Sequence, residues 1–224
     1  MFLPLIILTM VFNPATSDRS ILCLGDSYTI GEGVEPKERW PMQMVELLKA
    51  KGIELDEPKI VAKTGWTTDE LQAELDRPIA LNRTYAWVTL LIGVNNQYRG
   101  RDVEVYRKEF RQLLDFAIEK AGDNPSRVIV LSIPDWGVTP FAADRDVEKI
   151  AREIDRYNQV QREESLAKKA HFVDITDITR KAKEDPDGLL VSDKLHPSGA
   201  MYQLWAQRVT KILVDQVTPK RSGE

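Results

Sequence analysis

Residues 21–28 read Ile21-Leu22-Cys23-Leu24-Gly25-Asp26-Ser27-Tyr28: four apolar residues, a glycine, then an acid, a hydroxyl and a ring. An unbroken apolar run stopped by glycine is the pattern of a short strand buried on both faces. The hydroxyl of Ser27 therefore falls just past the carboxyl end of a strand. The same unit recurs. Ile60-Val61-Ala62 leads into Lys63-Thr64-Gly65-Trp66-Thr67-Thr68, and the almost wholly apolar residues 85–92 lead into Gly93-Val94-Asn95-Asn96. Residues 128–133 run into Pro134-Asp135-Trp136-Gly137-Val138-Thr139-Pro140, and residues 172–175 form a fifth strand.

Helical patterns separate these runs. Residues 40–50 carry Pro41 in the first turn with Met44, Leu47 and Leu48 inward, and residues 68–75 follow a Thr67 or Thr68 cap. Val103, Tyr106, Phe110, Leu113, Leu114 and Ala117 recur at helical spacing, as do Ile150, Ile154 and Tyr157 within residues 146–170. A last helix from about residue 198 aligns Tyr202, Trp205, Val209, Ile212 and Leu213. Strand–helix alternation predicts right-handed crossovers and an α/β fold: a single flavodoxin-like domain, its five-stranded parallel sheet covered by helices on both faces. Functional loops of such sheets gather beyond the carboxyl ends of the strands. Ser27, Gly65 and Asn95 follow the first three strands, so all three belong to one rim.

A chain of 224 residues suits one domain with a full core. Residues 18–217 form that domain, and residues 218–224 a polar tail. Residues 1–17 read either as a signal peptide, with small Ala15 and Ser17 at the cleavage offsets, or as a disordered arm before which translation starts at Met10. The first reading predicts a periplasmic or secreted protein and the second a cytoplasmic one. The apolar stretch from Phe2 to Phe12 is too short to span a bilayer, so no transmembrane span is expected. A net charge of −4 and scattered basic residues argue against a nucleic-acid partner. Cys23 is the single cysteine, so no internal disulfide can form, and its strand makes it a small core residue.

Ester hydrolysis through an acyl-enzyme needs a hydroxyl nucleophile, an imidazole base and a carboxylate to hold the imidazole. The chain has two histidines. His171 opens a strand, and Asp174, three positions on, would face the other side of it. His196 lies in the polar loop Asp193-Lys194-Leu195-His196-Pro197 and is the base if the chain has one. Asp193 and Asp26 compete as its partner; Asp26, adjoining Ser27, is better placed to organise the loop.

Taken in order, Ser27, Gly65, Asn95 and His196 resemble the four blocks of the SGNH, or GDSL-type, hydrolases, along almost the whole chain. The resemblance implies that Ser27 is the nucleophile, His196 its base and Asp193 the carboxylate that orients it. It also implies an oxyanion hole made by the Ser27 and Gly65 amides and the Asn95 side chain, and a small-molecule ester substrate with no cofactor and no metal. Two positions depart from the pattern: Tyr28 stands where the first block often has leucine, and Asn96 where the third commonly has aspartate. Tyr28, Trp66, Tyr98 and Trp136 are candidates for the substrate rim, and Arg99 for a residue that ties its loop down. Short acyl or acetyl esters are favoured over the lysophospholipids and thioesters that other members cleave, because no lid insertion or long apolar loop is evident.

Readings outside that class are weaker. A non-catalytic doubly wound binding module would need a glycine-rich phosphate loop, and Gly31 and Gly33 are not followed by one. A metallohydrolase would find few nitrogen or sulfur ligands. The oligomeric state is not encoded in any motif.

Overall fold

The computed structural model describes residues 18–77 and 81–217. The amino-terminal segment and the polar tail lie outside the described residues. Five parallel strands form one sheet: β1 Ile21–Gly25, β2 Lys59–Ala62, β3 Trp87–Leu91, β4 Val128–Leu131 and β5 His171–Val173, in the order β2-β1-β3-β4-β5. Cys23 at the middle of β1 pairs with Ile60 on one side and Thr89 on the other. This is the flavodoxin-type order, whose chain reverses direction across the sheet between β1 and β3.

Handedness then decides where the helices go. The β1-to-β2 connection runs one way across the sheet and all later ones run the other, so right-handed crossovers place them on opposite faces. Accordingly α2 (Trp40–Lys49) packs with α9 (Gly199–Val217), while α5 (Val103–Lys120) packs with α3 (Thr68–Leu75) and α6 (Val147–Ala167). Ile21, Leu22, Cys23 and Leu24 are fully buried between the layers. The absence of solvent also pushes the Cys23 thiol up to about 12.

Several boundaries differ from the sequence expectation, β5 (His171–Val173) among them, and at three the cause is visible: side chains take over backbone groups at the ends of β3 and β4, and a left-handed residue closes α6. The β3 ladder stops before Ile92, whose carbonyl accepts bonds from Tyr106 (3.1 Å) and Gln161 (2.9 Å). β4 stops before Ser132 and Ile133; Asn158 binds both the amide and the carbonyl of Ile133 (2.7 and 3.2 Å). α6 ends at Ala167 because Lys169 turns left-handed (φ 63°), letting the Ala170 amide close onto the Ser165 carbonyl at 2.9 Å. Short helices follow strand ends directly, α1 (Ser27–Ile30) after β1, α4 (Val94–Tyr98) after β3 and α7 (Thr176–Thr179) after β5, with α8 (Pro186–Leu189) leading on toward α9; the alternation of apolar runs gave no sign of α1 or α4.

Candidate active site

The turn between β1 and α1 depends on Gly25. A Cβ there would lie 2.1 Å from Thr29 Oγ1 and 2.5 Å from the Leu91 carbonyl, so only glycine lets β1 end this close to β3. Asp26 caps α1, its Oδ1 accepting the Tyr28 amide at 3.0 Å. Complete burial pushes the Asp26 carboxyl up to about 7, against the opposing pull of the Tyr28 amide. The next residue, Ser27, faces the switch-point crevice.

His196 arrives there from a loop 169 residues downstream, with Nε2 3.0 Å from Ser27 Oγ. Its Nδ1 lies 2.6 Å from Asp193 Oδ2. Asp193 Oδ1 meanwhile accepts the amides of Leu195 (2.8 Å) and His196 (2.9 Å), which requires Lys194 to adopt a left-handed conformation (φ 60°). A bridge between Leu190 and Pro197 and a 2.9 Å bond from the Val191 amide to the His196 carbonyl close the base of this loop. Burial raises the Asp193 carboxyl, but the His196 ring, the two amides and the attraction of an imidazolium together outweigh it and hold it below the usual carboxylate range. The other histidine is spent elsewhere, its Nε2 3.0 Å from the Ser126 carbonyl.

Asn95, in α4, points its Nδ2 at the Trp66 carbonyl (3.0 Å), with Asp26 Oδ2 at 3.5 Å. Gly65 has φ 85°, a conformation that excludes most side chains although little would obstruct one. Its carbonyl accepts Arg99 Nη2 at 2.7 Å, and Arg99 also pairs with Glu70 at 3.1 Å; the arginine ties the loop down. Asn96 is wholly buried and ties the same loop from beneath, accepting the Thr68 amide (3.0 Å) and donating to Thr68 Oγ1 (2.6 Å).

A cleft of about 200 Å³ joins these groups, lined by Ser27, Gly65, Asn95 and His196 with Tyr28, Thr64, Val94, Tyr98, Trp136, Phe141 and Leu195. Trp136 is held by a 2.7 Å bond from its Nε1 to Gln97, and stands edge-on to Tyr98 (ring centroids 5.2 Å) and Phe141 (6.1 Å). Trp66 does not line the cleft; its ring packs on the core and its contribution is the carbonyl that orients Asn95. Tyr28 is at the floor rather than the rim, only 4% exposed. Sequence reasoning missed Phe141 and Gln97. Phe141, 46% exposed, directly follows Pro140, and an aromatic so close to the Trp136 loop was a usable signal. Gln97 carried none. A larger open groove of about 600 Å³ lies across the Trp136–Phe141 loop, lined by none of Ser27, Asn95 and His196. Among the described residues no cluster of three or more potential metal ligands occurs, and no helix is long and apolar enough to cross a membrane.

Comparison with known proteins agrees with this architecture. Residues 23–204 match the model of the GDSL-like lipase/acylhydrolase family. No curated protein matches the sequence. Among solved structures, a lipase/acylhydrolase from Enterococcus faecalis is 22% identical with a TM-score of 0.66, the match covering 91% of this chain and all of that one. An acetyl xylan esterase variant from Geobacillus stearothermophilus is 20% identical with a TM-score of 0.64, over 91% of this chain and 98% of that one. A lipase from a goat rumen metagenome is 19% identical with a TM-score of 0.69, over 86% and 96% of the two chains. At these identities the likeness is one of fold.

Proposed function

The chain belongs to the GDSL-like lipase/acylhydrolase family, and on that premise we propose that it is a serine hydrolase cleaving carboxylic esters through an acyl-enzyme on Ser27. The observation that carries the reading is the continuous relay Asp193–His196–Ser27, with contacts of 2.6 and 3.0 Å. In the first half-reaction Ser27 Oγ bonds to the ester carbonyl carbon while its proton passes to His196 Nε2. The tetrahedral intermediate collapses as the C–O bond to the alcohol breaks and His196 returns the proton to that oxygen. Water then enters, giving its proton to His196, and the acyl group leaves as a carboxylic acid with Ser27 reprotonated. Asp193 holds the tautomer that leaves Nε2 free to accept, and stabilises the imidazolium.

The negative oxygen of the intermediate would be met by the Ser27 and Gly65 amides and by Asn95. One Asn95 proton is committed to Trp66; the other has only the 3.5 Å contact to Asp26 to give up.

Substrate size follows from the cleft. The cleft measures only about 200 Å³, and Val94, Tyr98, Trp136, Phe141 and Leu195 make its walls apolar. Short acyl or acetyl esters fit that space, in keeping with the acetyl xylan esterase among the structural neighbours. A panel of 4-nitrophenyl esters from acetyl to dodecanoyl, together with acetylated xylo-oligosaccharides, tests the assignment. The expected kcat/KM peaks at or below about six carbons. A profile still rising at ten carbons would contradict it and favour a lysophospholipid or thioester substrate.

A further inference from the structure

Tyr28 occupies the position after the nucleophile at which the family often has leucine, and nothing in the relay above uses it. Its ring centroid lies 5.1 Å from that of His196, with the planes inclined at 50°. It also lies 6.2 Å from Trp205 of α9, inclined at 28°, and Trp205 in turn meets Tyr202 edge-on at 5.2 Å. The Trp205 and Tyr202 rings are fully buried, and Tyr28 is 4% exposed. The imidazole is thus held in its plane by Ser27 and Asp193 and is packed against a braced aromatic ring.

An aromatic ring is negative on its faces and attracts a cation within about 6 Å of its centroid, more strongly where water is excluded. The imidazole of a serine hydrolase is neutral at rest and cationic in both tetrahedral states. A leucine at position 28 would pack against it in either state without discriminating between them. We propose that Tyr28 is a positioning residue that selectively stabilises the His196 imidazolium through its ring, a role that rests on the hydrolase reading above.

Other charges act on the Tyr28 ring: Asp26 from the β1–α1 turn, Asp193 from the His196 loop and Asp135 from the loop after β4. None of these residues is removed by a substitution at position 28, so they are common to the variants compared.

The chain's two histidines make the measurement direct. In His171→Gln protein a single imidazole remains, and its proton titration can be followed by NMR in ligand-free enzyme carrying Tyr28, Tyr28→Phe or Tyr28→Leu. Removing an attraction for the cation makes the base harder to protonate. Tyr28→Leu is therefore expected to lower the titration midpoint by about 0.5–1 pH unit, equivalent to a factor of three to ten. The acid limb of kcat/KM should move down with it, and the plateau kcat should fall about three- to tenfold. Tyr28→Phe keeps the ring and should leave the midpoint in place. If the leucine variant does not fold, near-isosteric fluorinated phenylalanines at position 28 weaken the ring's negative face without reshaping it, and the midpoint should fall stepwise with fluorine number. A midpoint that stays or rises with leucine, an equal shift with phenylalanine, or no fluorine dependence would overturn the proposal. Fluorophosphonate labelling separates the two levels: failure to label Ser27 in the protein with Tyr28 sinks the hydrolase reading, whereas the midpoint alone decides the role of Tyr28.

Discussion

Asn95 lines the crevice, and Asp26 lies buried 3.5 Å from its amide nitrogen. Asn95 has its orientation fixed before any substrate enters, because the Trp66 carbonyl already holds one of its protons. Such a preformed donor acts on charge that is complete only in the tetrahedral state, so its loss should appear in kcat rather than KM. Asn95→Ala is expected to lower kcat by about two to three orders of magnitude with KM nearly unchanged, by comparison with a side-chain oxyanion donor in another serine hydrolase. Steady-state kinetics on the best ester of the panel checks this; a rise in KM alone would mean that Asn95 binds substrate instead. Asp26 makes a prediction about stability. Its carboxyl is pushed up to about 7 by burial, against an unfolded value near 4. The folded state therefore holds a proton that the unfolded state releases, and this contribution is full below about pH 4 and declines as pH rises to about 7. Asp26→Asn keeps an acceptor for the Tyr28 amide but cannot ionise. The stability of Asp26→Asn relative to wild type, from urea unfolding, should increase steadily from pH 4 to pH 7 and then level off. A constant difference would show that Asp26 ionises normally.

The elements around the crevice are loops fastened to one another, and the fastening at Asn96 explains why this chain departs from aspartate there. Asn96 Nδ2 donates to Thr68 Oγ1 at 2.6 Å, and Thr68 in turn donates to Glu109 of α5, which lies 3.5 Å from the same nitrogen. An aspartate would set oxygen against oxygen at Thr68 and bring a second carboxylate beside Glu109. Asn96→Asp should thus cost about 1–3 kcal/mol of stability at pH 7 and much less near pH 4, where the new group is protonated. Glu109→Gln in the same chain should recover most of the loss. Chemical denaturation of the single and double variants at both pH values measures it, and equal losses at both would exclude charge repulsion as the cause. The kcat of Asn96→Asp should stay within about tenfold, since no donor to the oxyanion is removed. This network marks the limit of what the sequence makes legible. Ser27, Gly65 and Asn95 could be placed on one rim because each stands at the end of an apolar run, and a strand end is a local signal. The Glu109–Thr68–Asn96 link, the Gln97 brace on Trp136 and the Tyr28–His196 contact join residues from different elements. No periodicity within one segment encodes them, and neither the inward packing of Trp66 nor that of Tyr28 could be told from a loop position.

At the scale of the molecule, the strand order does the assembling. Reversal of the chain between β1 and β3 leaves a crevice at their carboxyl ends, flanked by the loop after β2. Ser27, Asn95 and Gly65 enter from those ends, and the loop before α9 delivers Asp193 and His196. The alternation of apolar runs and helices was enough to foresee a parallel, flavodoxin-like sheet covered on both faces, because crossover handedness leaves few alternatives. We propose that the crevice so assembled acts through Ser27 as a nucleophile. A fluorophosphonate reagent applied to the whole chain, with the adduct located by peptide mass analysis, tests it most directly alongside ester turnover by Ser27→Ala. The predicted result is a single adduct on Ser27, none on the alanine variant, and a loss of kcat on the order of a millionfold with the fold intact by circular dichroism. Labelling at another serine, or ester turnover retained by Ser27→Ala, would contradict it.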